Sequence, residues 1–205
     1  MLNKKTIITI SREHGSGGRK IGERIAAELG ISFYDKKLIN IVAEQSGLSM
    51  EFIENHEQKI NNSFLFNIAV SGYYSGNIFN KESLLPEDKI FLTQTKIIRD
   101  LAEKESCVIV GRCADYILKD REDCFNVFIF SDLESRKKRA VTEYGFNGDT
   151  VESELKKADK ARNNHYSHYT GQDWGQLKNY HLAVNSDFVG FDNVVDMIVQ
   201  IAKNR

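Results

Sequence analysis

"ITISREHGSGGRKIGERIAAELG", residues 8–30, governs how the rest of the chain is read. A β-branched run, Thr6 to Ile10, stops; glycines cluster at Gly15, Gly17 and Gly18; Ile21, Ile25 and Leu29 then recur at helical spacing up to Gly30. Strand, glycine turn and helix together offer backbone N–H groups and the positive end of a helix to an anion, which suits a di- or triphosphate. Against the P-loop pattern G-x-x-x-x-G-K-[ST], Arg12 falls at the first glycine, Gly17 at the second and Gly18 at the lysine. Arg19 comes next, and Lys20 stands where the hydroxyl is sought. The dinucleotide pattern G-x-G-x-x-G fails as well, because Lys20 occupies the place of its third glycine. A turn that serves only tight helix–strand packing is the alternative, and the two cations beside the glycines favour phosphate.

Outward from this unit, further apolar, β-rich runs stand at 107–111, 125–130 and 180–185, with a weaker one at 31–35. Near-continuous hydrophobicity predicts strands covered on both faces, and the helical patterns between them (Ile90 to Leu101, Val194 to Ile201) predict a parallel α/β sheet. Residues 60–86 mix Asn, Ser and Gly with aromatics and read as an irregular insertion or flap. Residues 132–178 are long and charged, with a helix start of capping-box form at Asp149-Thr150-Val151-Glu152. No repeat or linker divides the chain, so a single domain over 1–205 is expected.

The 28 Lys and Arg against 29 Asp and Glu give a formal charge of -1, which supplies no global field for nucleic acid or a membrane surface. No stretch approaches the ~20 apolar residues of a membrane span, and three cysteines without a CxxC pair suit a reducing compartment. A cytoplasmic protein is expected, with a homo-oligomer compatible with the sequence. His165 and His168 lie three apart in "HYSHYTGQDW" (165–174), but no third ligand accompanies them, so no metal site is assigned. Tyr166, Tyr169 and Trp174, like Tyr73 and Tyr74, suit either base stacking or packing.

From "SREHGSGGRKIG" (11–22), its most specific part, through "FYD", "IVGRCADYIL", "FIFSDLESRKKRA", "DKAR" and "LAVNSDFVGFDNVVDMIVQIA", the chain resembles the cytidylate-kinase-like family over nearly its full length. The resemblance implies a P-loop nucleoside-monophosphate-kinase fold: a five-stranded parallel sheet with helices on both faces and a helical lid. It further implies ATP as phosphoryl donor and Mg²⁺, the latter with no protein ligand assignable. By the same resemblance Gly15, Ser16, Gly17 and Gly18 wrap the donor phosphates, while Arg19 or Lys20 restores the charge of the missing lysine. Arg112 matches the arginine of a "GRD" signature that grips an acceptor monophosphate, with Cys113 in place of the aspartate and Asp115 at a different offset. Asp35 matches an aspartate at the acceptor rim, and an N-cap for the next helix is its other reading.

Arg136, Arg139, Lys160 and Arg162 match the lid, with Asp159 orienting Arg162; the run Arg136 to Arg139 reads equally as a solvated helix face. The catalytic candidates are Arg19, Lys20, Arg136 and Arg162. The leading function is transfer of the ATP γ-phosphoryl to a nucleoside monophosphate such as CMP or a related small acceptor. The competing reading is a weakly active nucleotide-binding sensor or interaction module built on an altered P-loop. A purely structural domain ranks last, because it leaves the glycine loop and Arg112 unexplained.

Overall fold

The structure, a computed structural model, describes residues 2–46, 48–56 and 85–205. The chain divides into two compact units, Met1–Asp35 with Ile98–Arg205, and Lys36–Ile97.

The first unit is built on five parallel strands: β1 (Ile7–Arg12), β2 (Ser32–Tyr34), β3 (Cys107–Val110), β4 (Cys124–Phe130) and β5 (Leu182–Asn185). Their order is β2-β3-β1-β4-β5, so the glycine loop leaves the central strand. Central strands are buried on both faces, which is why β1, β3 and β4 read as near-continuous apolar runs. Ile7 pairs with both Cys107 and Cys124, and that register brings the carboxyl ends of β1, β3 and β4 to one edge.

Helix α1 (Gly18–Leu29) packs Ile21, Ile25 and Ala26 into a core shared with Ile8, Ile10, Val108, Val127 and Ile129. Gly22 keeps this approach close, since a Cβ there would lie 2.9 Å from Ile10 Cδ1. Gly30, at φ 66°, closes the helix by donating to Ala26 and Ala27 carbonyls. The numbering continues with α2 (Lys36–Ser46), α3 (Met50–His56) and α4 (Pro86–Lys104), then α5 (Ala114–Ile117), α6 (Leu133–Tyr144) and α7 (Val151–Thr170). Short α8 (Ser186–Val189) and amphipathic α9 (Phe191–Asn204) complete it, the latter contributing Val194, Val195 and Ile198 to the same core. Helices α6 and α7 share a smaller core of Ala140, Val151 and Leu155, flanked by Leu133 and Phe146.

In the second unit α2 buries Leu38, Ile39 and Val42, and α3 buries Ile53. Helix α4 starts on Pro86, whose fixed φ suits a first helical turn, with Glu87 and Asp88 complementing the helix dipole. Of the stretch 60–86, residues 60–84 with Tyr73 and Tyr74 lie outside the described residues. No helix among the described residues is long and apolar enough to cross a membrane.

The capping box expected at Asp149 is not formed. Thr150 is the N-cap of α7, without a side-chain bond to the helix amides, and its hydroxyl donates to the Glu154 carboxylate instead.

Candidate active site

The loop after β1 owes its shape to three glycines, each hemmed in by a different neighbour. Glu13 N donates to Ile129 O at 3.0 Å and extends the strand register by one residue. Gly15 and Gly17 then take φ values of 81° and 80°. A Cβ on Gly17 would stand 2.0 Å from Phe191 Cζ, and one on Gly18 would stand 2.7 Å from Arg12 Cβ. Among the described residues, the amides of Gly15, Gly17, Gly18 and Arg19 meet no backbone acceptor, and Gly17 caps α1 without a side-chain bond. Amides without a backbone acceptor at a helix N-terminus, together with the helix dipole, are chemically suited to an anion.

Two amides of the loop are used internally. Ser16 N donates to Glu13 O at 3.3 Å, and His14 N donates to Asp159 Oδ1 at 2.7 Å. Ser16 is fully buried; its hydroxyl donates to Glu13 O and its carbonyl accepts from Ser186 Oγ at 2.6 Å. The hydroxyl position of the P-loop pattern follows the lysine position immediately and therefore falls on Arg19, not on Lys20.

Three arginines of α6 and α7 bind carbonyls of this loop. Arg136 donates from Nε to His14 O at 2.8 Å, pairs through Nη1 with Glu13 Oε2 at 2.9 Å, and pairs through Nη2 with Asp159. It is 7% exposed, with all three nitrogens committed to protein, so here it braces the loop. Arg139 donates to Gly15 O and lays its guanidinium 4.7 Å from the Phe191 ring centroid. Arg162 donates to Arg12 O at 3.0 Å and lies 3.1 Å from His14 Nδ1.

Asp159 touches Arg162 only at 3.5 Å; its shorter bonds go to His14 N and Arg136, a different division from the one expected. Lys160 is exposed. Burial first, then the Arg162 charge, holds the His14 imidazole down at about 4, so it is neutral at pH 7. Its ring stacks on Phe146 at 5.4 Å.

On the other side of the loop, Asp35 binds two cations. Its Oδ2 accepts from Arg19 Nε at 2.8 Å, and its Oδ1 lies 3.5 Å from Arg112 Nη1. Gly111, Arg112 and Cys113 follow β3 at φ 75°, 56° and 54°, a left-handed turn in which two residues carry side chains. Each such residue costs roughly 1–2 kcal/mol, a strain that tends to gather at functional sites. Lys20 points away to Glu143 at 2.5 Å and is half-exposed.

Cys113 is buried, and burial pushes its thiol well up. Asp115 is also interior: Tyr166 OH donates to its Oδ2 at 2.7 Å, Ser11 is buried nearby, and burial raises its carboxyl to about 6. His165 and His168 both meet Tyr169 edge-on, at 4.8 and 4.7 Å, and Trp174 meets Phe128 at 5.4 Å. Among the described residues no group of three or more His, Cys, Asp and Glu is placed to hold a metal ion. The loop hydroxyls do not fit a resident Mg²⁺ either. Ser16 is turned to Glu13 O, Ser11 is buried beside Asp115, and position 19 is an arginine.

Sequence reasoning passed over Glu13, His14 and Arg12. Glu13 carries Arg136 and Ser131 N, His14 makes three contacts with α6 and α7, and Arg12 threads between Gly18 and Gly111. A polar triplet in the loop itself was the available signal.

The chain covers 98% of its length against the crystal structure of an uncharacterized protein from Eubacterium ventriosum, at a TM-score of 0.74 and 29% identity, with all of that chain covered. Shikimate kinase from Bacteroides thetaiotaomicron aligns at a TM-score of 0.57 and 14% identity, covering 96% of this chain and 97% of that one, which speaks for the fold alone. In sequence, a cytidylate kinase from Ignicoccus hospitalis is 22% identical over 194 residues, 94% of this chain and 96% of that protein. Residues 7–187, which include the glycine loop, Asp35, Arg112 and the arginines of α6 and α7, match the profile of the cytidylate kinase-like family, and the chain belongs to that family.

Proposed function

We propose that this protein transfers the γ-phosphoryl group of ATP to a nucleoside monophosphate such as CMP, or to a closely related phosphate-bearing acceptor, with residues 1–205 acting as one cytoplasmic catalytic domain. The observation that carries the reading is the pairing of two features at one edge of the sheet. The unbonded amides at Gly15 and Gly17 to Arg19 suit the donor's phosphates, and the strained turn at Arg112 suits an acceptor's phosphate on the neighbouring strand.

An anionic oxygen of the acceptor attacks the γ-phosphorus; the bond to the β,γ-bridging oxygen breaks, and ADP leaves with that electron pair. The attacking oxygen carries no proton, so no general base is required. Catalysis rests on alignment and on neutralising charge over the transferring group. Arg139 and Arg162 stand at the loop for this purpose, Arg19 and Arg112 share Asp35 on the acceptor side, and Arg136 with Asp159 keeps the loop in shape. Mg²⁺ is expected to arrive on the nucleotide's own phosphates.

The test is ADP release with ATP and Mg²⁺ against a panel of CMP, UMP, AMP and dCMP. Turnover with at least one acceptor, lost in Arg112→Ala through a raised acceptor KM, is the expected result. Thermal stabilisation by ATP without ADP release from any of the four would overturn the proposal in favour of a binding module.

A further inference from the structure

We infer that Asp115 and Tyr166 are positioning residues, whose buried hydrogen bond clamps the left-handed turn carrying Arg112 to α7, the helix that also holds the glycine loop. The inference rests on the phosphotransferase reading above and deepens it, since it names what aims the proposed acceptor's arginine. The turn runs from Gly111 to Ala114 and is closed by Ala114 N, which donates to Gly111 O at 3.1 Å. Both residues between them are left-handed, Arg112 at φ 56° and Cys113 at φ 54°. Neither is the glycine, asparagine or aspartate that such a turn favours, so its shape persists only where both of its ends are fixed from outside. Upstream, Gly111 N donates to Ile10 O at 2.9 Å and continues the sheet. Downstream, the grip falls on Asp115, in the first turn of α5. Its Oδ2 accepts from Tyr166 OH at 2.7 Å, and its backbone carbonyl accepts from Asn126 Nδ2 at 3.5 Å. Asp115 and Tyr166 are both buried, so bulk solvent does not compete for their bond.

Asp159, Arg162 and Tyr166 stand at i, i+3 and i+7, on one face of α7. Asp159 Oδ1 accepts from His14 N at 2.7 Å, and Arg162 Nη1 donates to Arg12 O at 3.0 Å. One helix face therefore touches the loop after β1 through two residues and the turn after β3 through the third, and it sets the separation of the two. Tyr166 is itself steadied from the helix end, where Thr170 Oγ1 donates to its carbonyl at 2.7 Å. Net stability does not account for this pair. Burial pushes the Asp115 carboxyl up to about 6, the mark of a group held out of water, and an apolar pair of similar volume stabilises a core as well or better. What the polar pair adds is direction, a fixed distance between α7 and the turn.

The experiment compares wild type with Tyr166→Phe, which removes one oxygen and keeps the ring, with Asp115→Leu, which removes the carboxyl at similar volume, and with the double variant Tyr166→Phe/Cys113→Gly. Steady-state ADP release is measured with ATP, Mg²⁺ and the best acceptor among CMP, UMP, AMP and dCMP, and folding is read by thermal midpoint. Tyr166→Phe and Asp115→Leu are each expected to raise the acceptor KM about fivefold or more, the scale of one lost hydrogen bond. The KM for ATP stays within about twofold, because Asp159 and Arg162 still hold the loop. Cys113→Gly in the Tyr166→Phe background lowers the acceptor KM again by about threefold or more, since glycine takes the left-handed turn without a clamp. A merely structural Tyr166 gives neither the split between the two KM values nor that rescue. A wild-type acceptor KM in the folded single variants, equal rises in both KM values, or no rescue in a folded double variant overturns the inference and leaves the phosphotransferase reading intact. A wild-type protein that releases no ADP with any of the four acceptors overturns both.

Discussion

The two sides of the candidate site are held by different physics. Around Glu13 to Gly18 the backbone is relaxed, because glycine occupies both left-handed positions, and order comes from charge: Glu13 and Asp159 flank Arg136, which in turn binds the loop's carbonyls. Around Gly111 to Cys113 Arg112 stands 3.5 Å from Asp35, and order is maintained against backbone strain at two side-chain-bearing residues. The glycine loop is thus sensitive to the loss of a carboxylate, whereas strain in the Gly111 to Cys113 turn is available to aim one arginine.

The largest effect is expected from Asp159→Ala, which strips a near-buried arginine of one counter-charge and the His14 amide of its acceptor. Breaking a buried pair in this way costs about 3–5 kcal/mol, and urea unfolding measures it. Gly17→Ala follows at roughly 2–4 kcal/mol, from a positive φ and from overlap with the Phe191 ring. Phe191→Leu in the same chain should recover part of that loss. Arg112→Gly sharpens the contrast between the two sides: the acceptor KM of the proposed reaction should rise tenfold or more, while the melting temperature falls by less than for Asp159→Ala because glycine relieves the left-handed strain and so offsets part of the lost Asp35 contact. If stability instead drops as far as for Asp159→Ala, the two sides are held in the same way. Least affected is Lys20→Ala, whose exposed pair with Glu143 is worth about 0.2–1 kcal/mol, screened by salt.

Acid tests the buried groups together. His14 and His165 are both held at about 4 in the folded protein, chiefly by burial, while the unfolded chain takes up their protons near 6.5. Their contribution therefore falls away as pH drops through that window. Asp115, raised to about 6, acts in the opposite sense: the folded protein keeps a proton that the unfolded chain releases until about 3.8. Two groups outweigh one, so the melting temperature should decline from pH 7 to 4.5, and the decline should be steeper in Asp115→Asn, where the opposing group is gone.

Strands and their helices were legible because burial on both faces of a central strand leaves a near-continuous apolar run. Ile7 to Ile10, Cys107 to Val110 and Phe125 to Phe130 behave in this way, and even the weak signal at Ser32 to Tyr34 proved to be an edge strand. The glycine loop was legible from its spacing. What the loop's polar residues bind was not, since His14 N meets a carboxylate 145 residues away and Arg12 is explained by glycines at 18 and 111. No local period encodes such partners. Local reasoning found the start of α7 but not its cap, since Thr150 prefers Glu154 to the helix amides.

Cys107, Cys113 and Cys124 are all buried, and all three thiols are pushed upward from their ordinary range. A thiol that is neither accessible nor ionised reacts with an alkylating reagent only when the surrounding structure opens. Because Cys107 and Cys124 lie on strands flanking the central one and Cys113 on the strained turn, their separate labelling rates are internal clocks for breathing of the sheet and of the turn after β3.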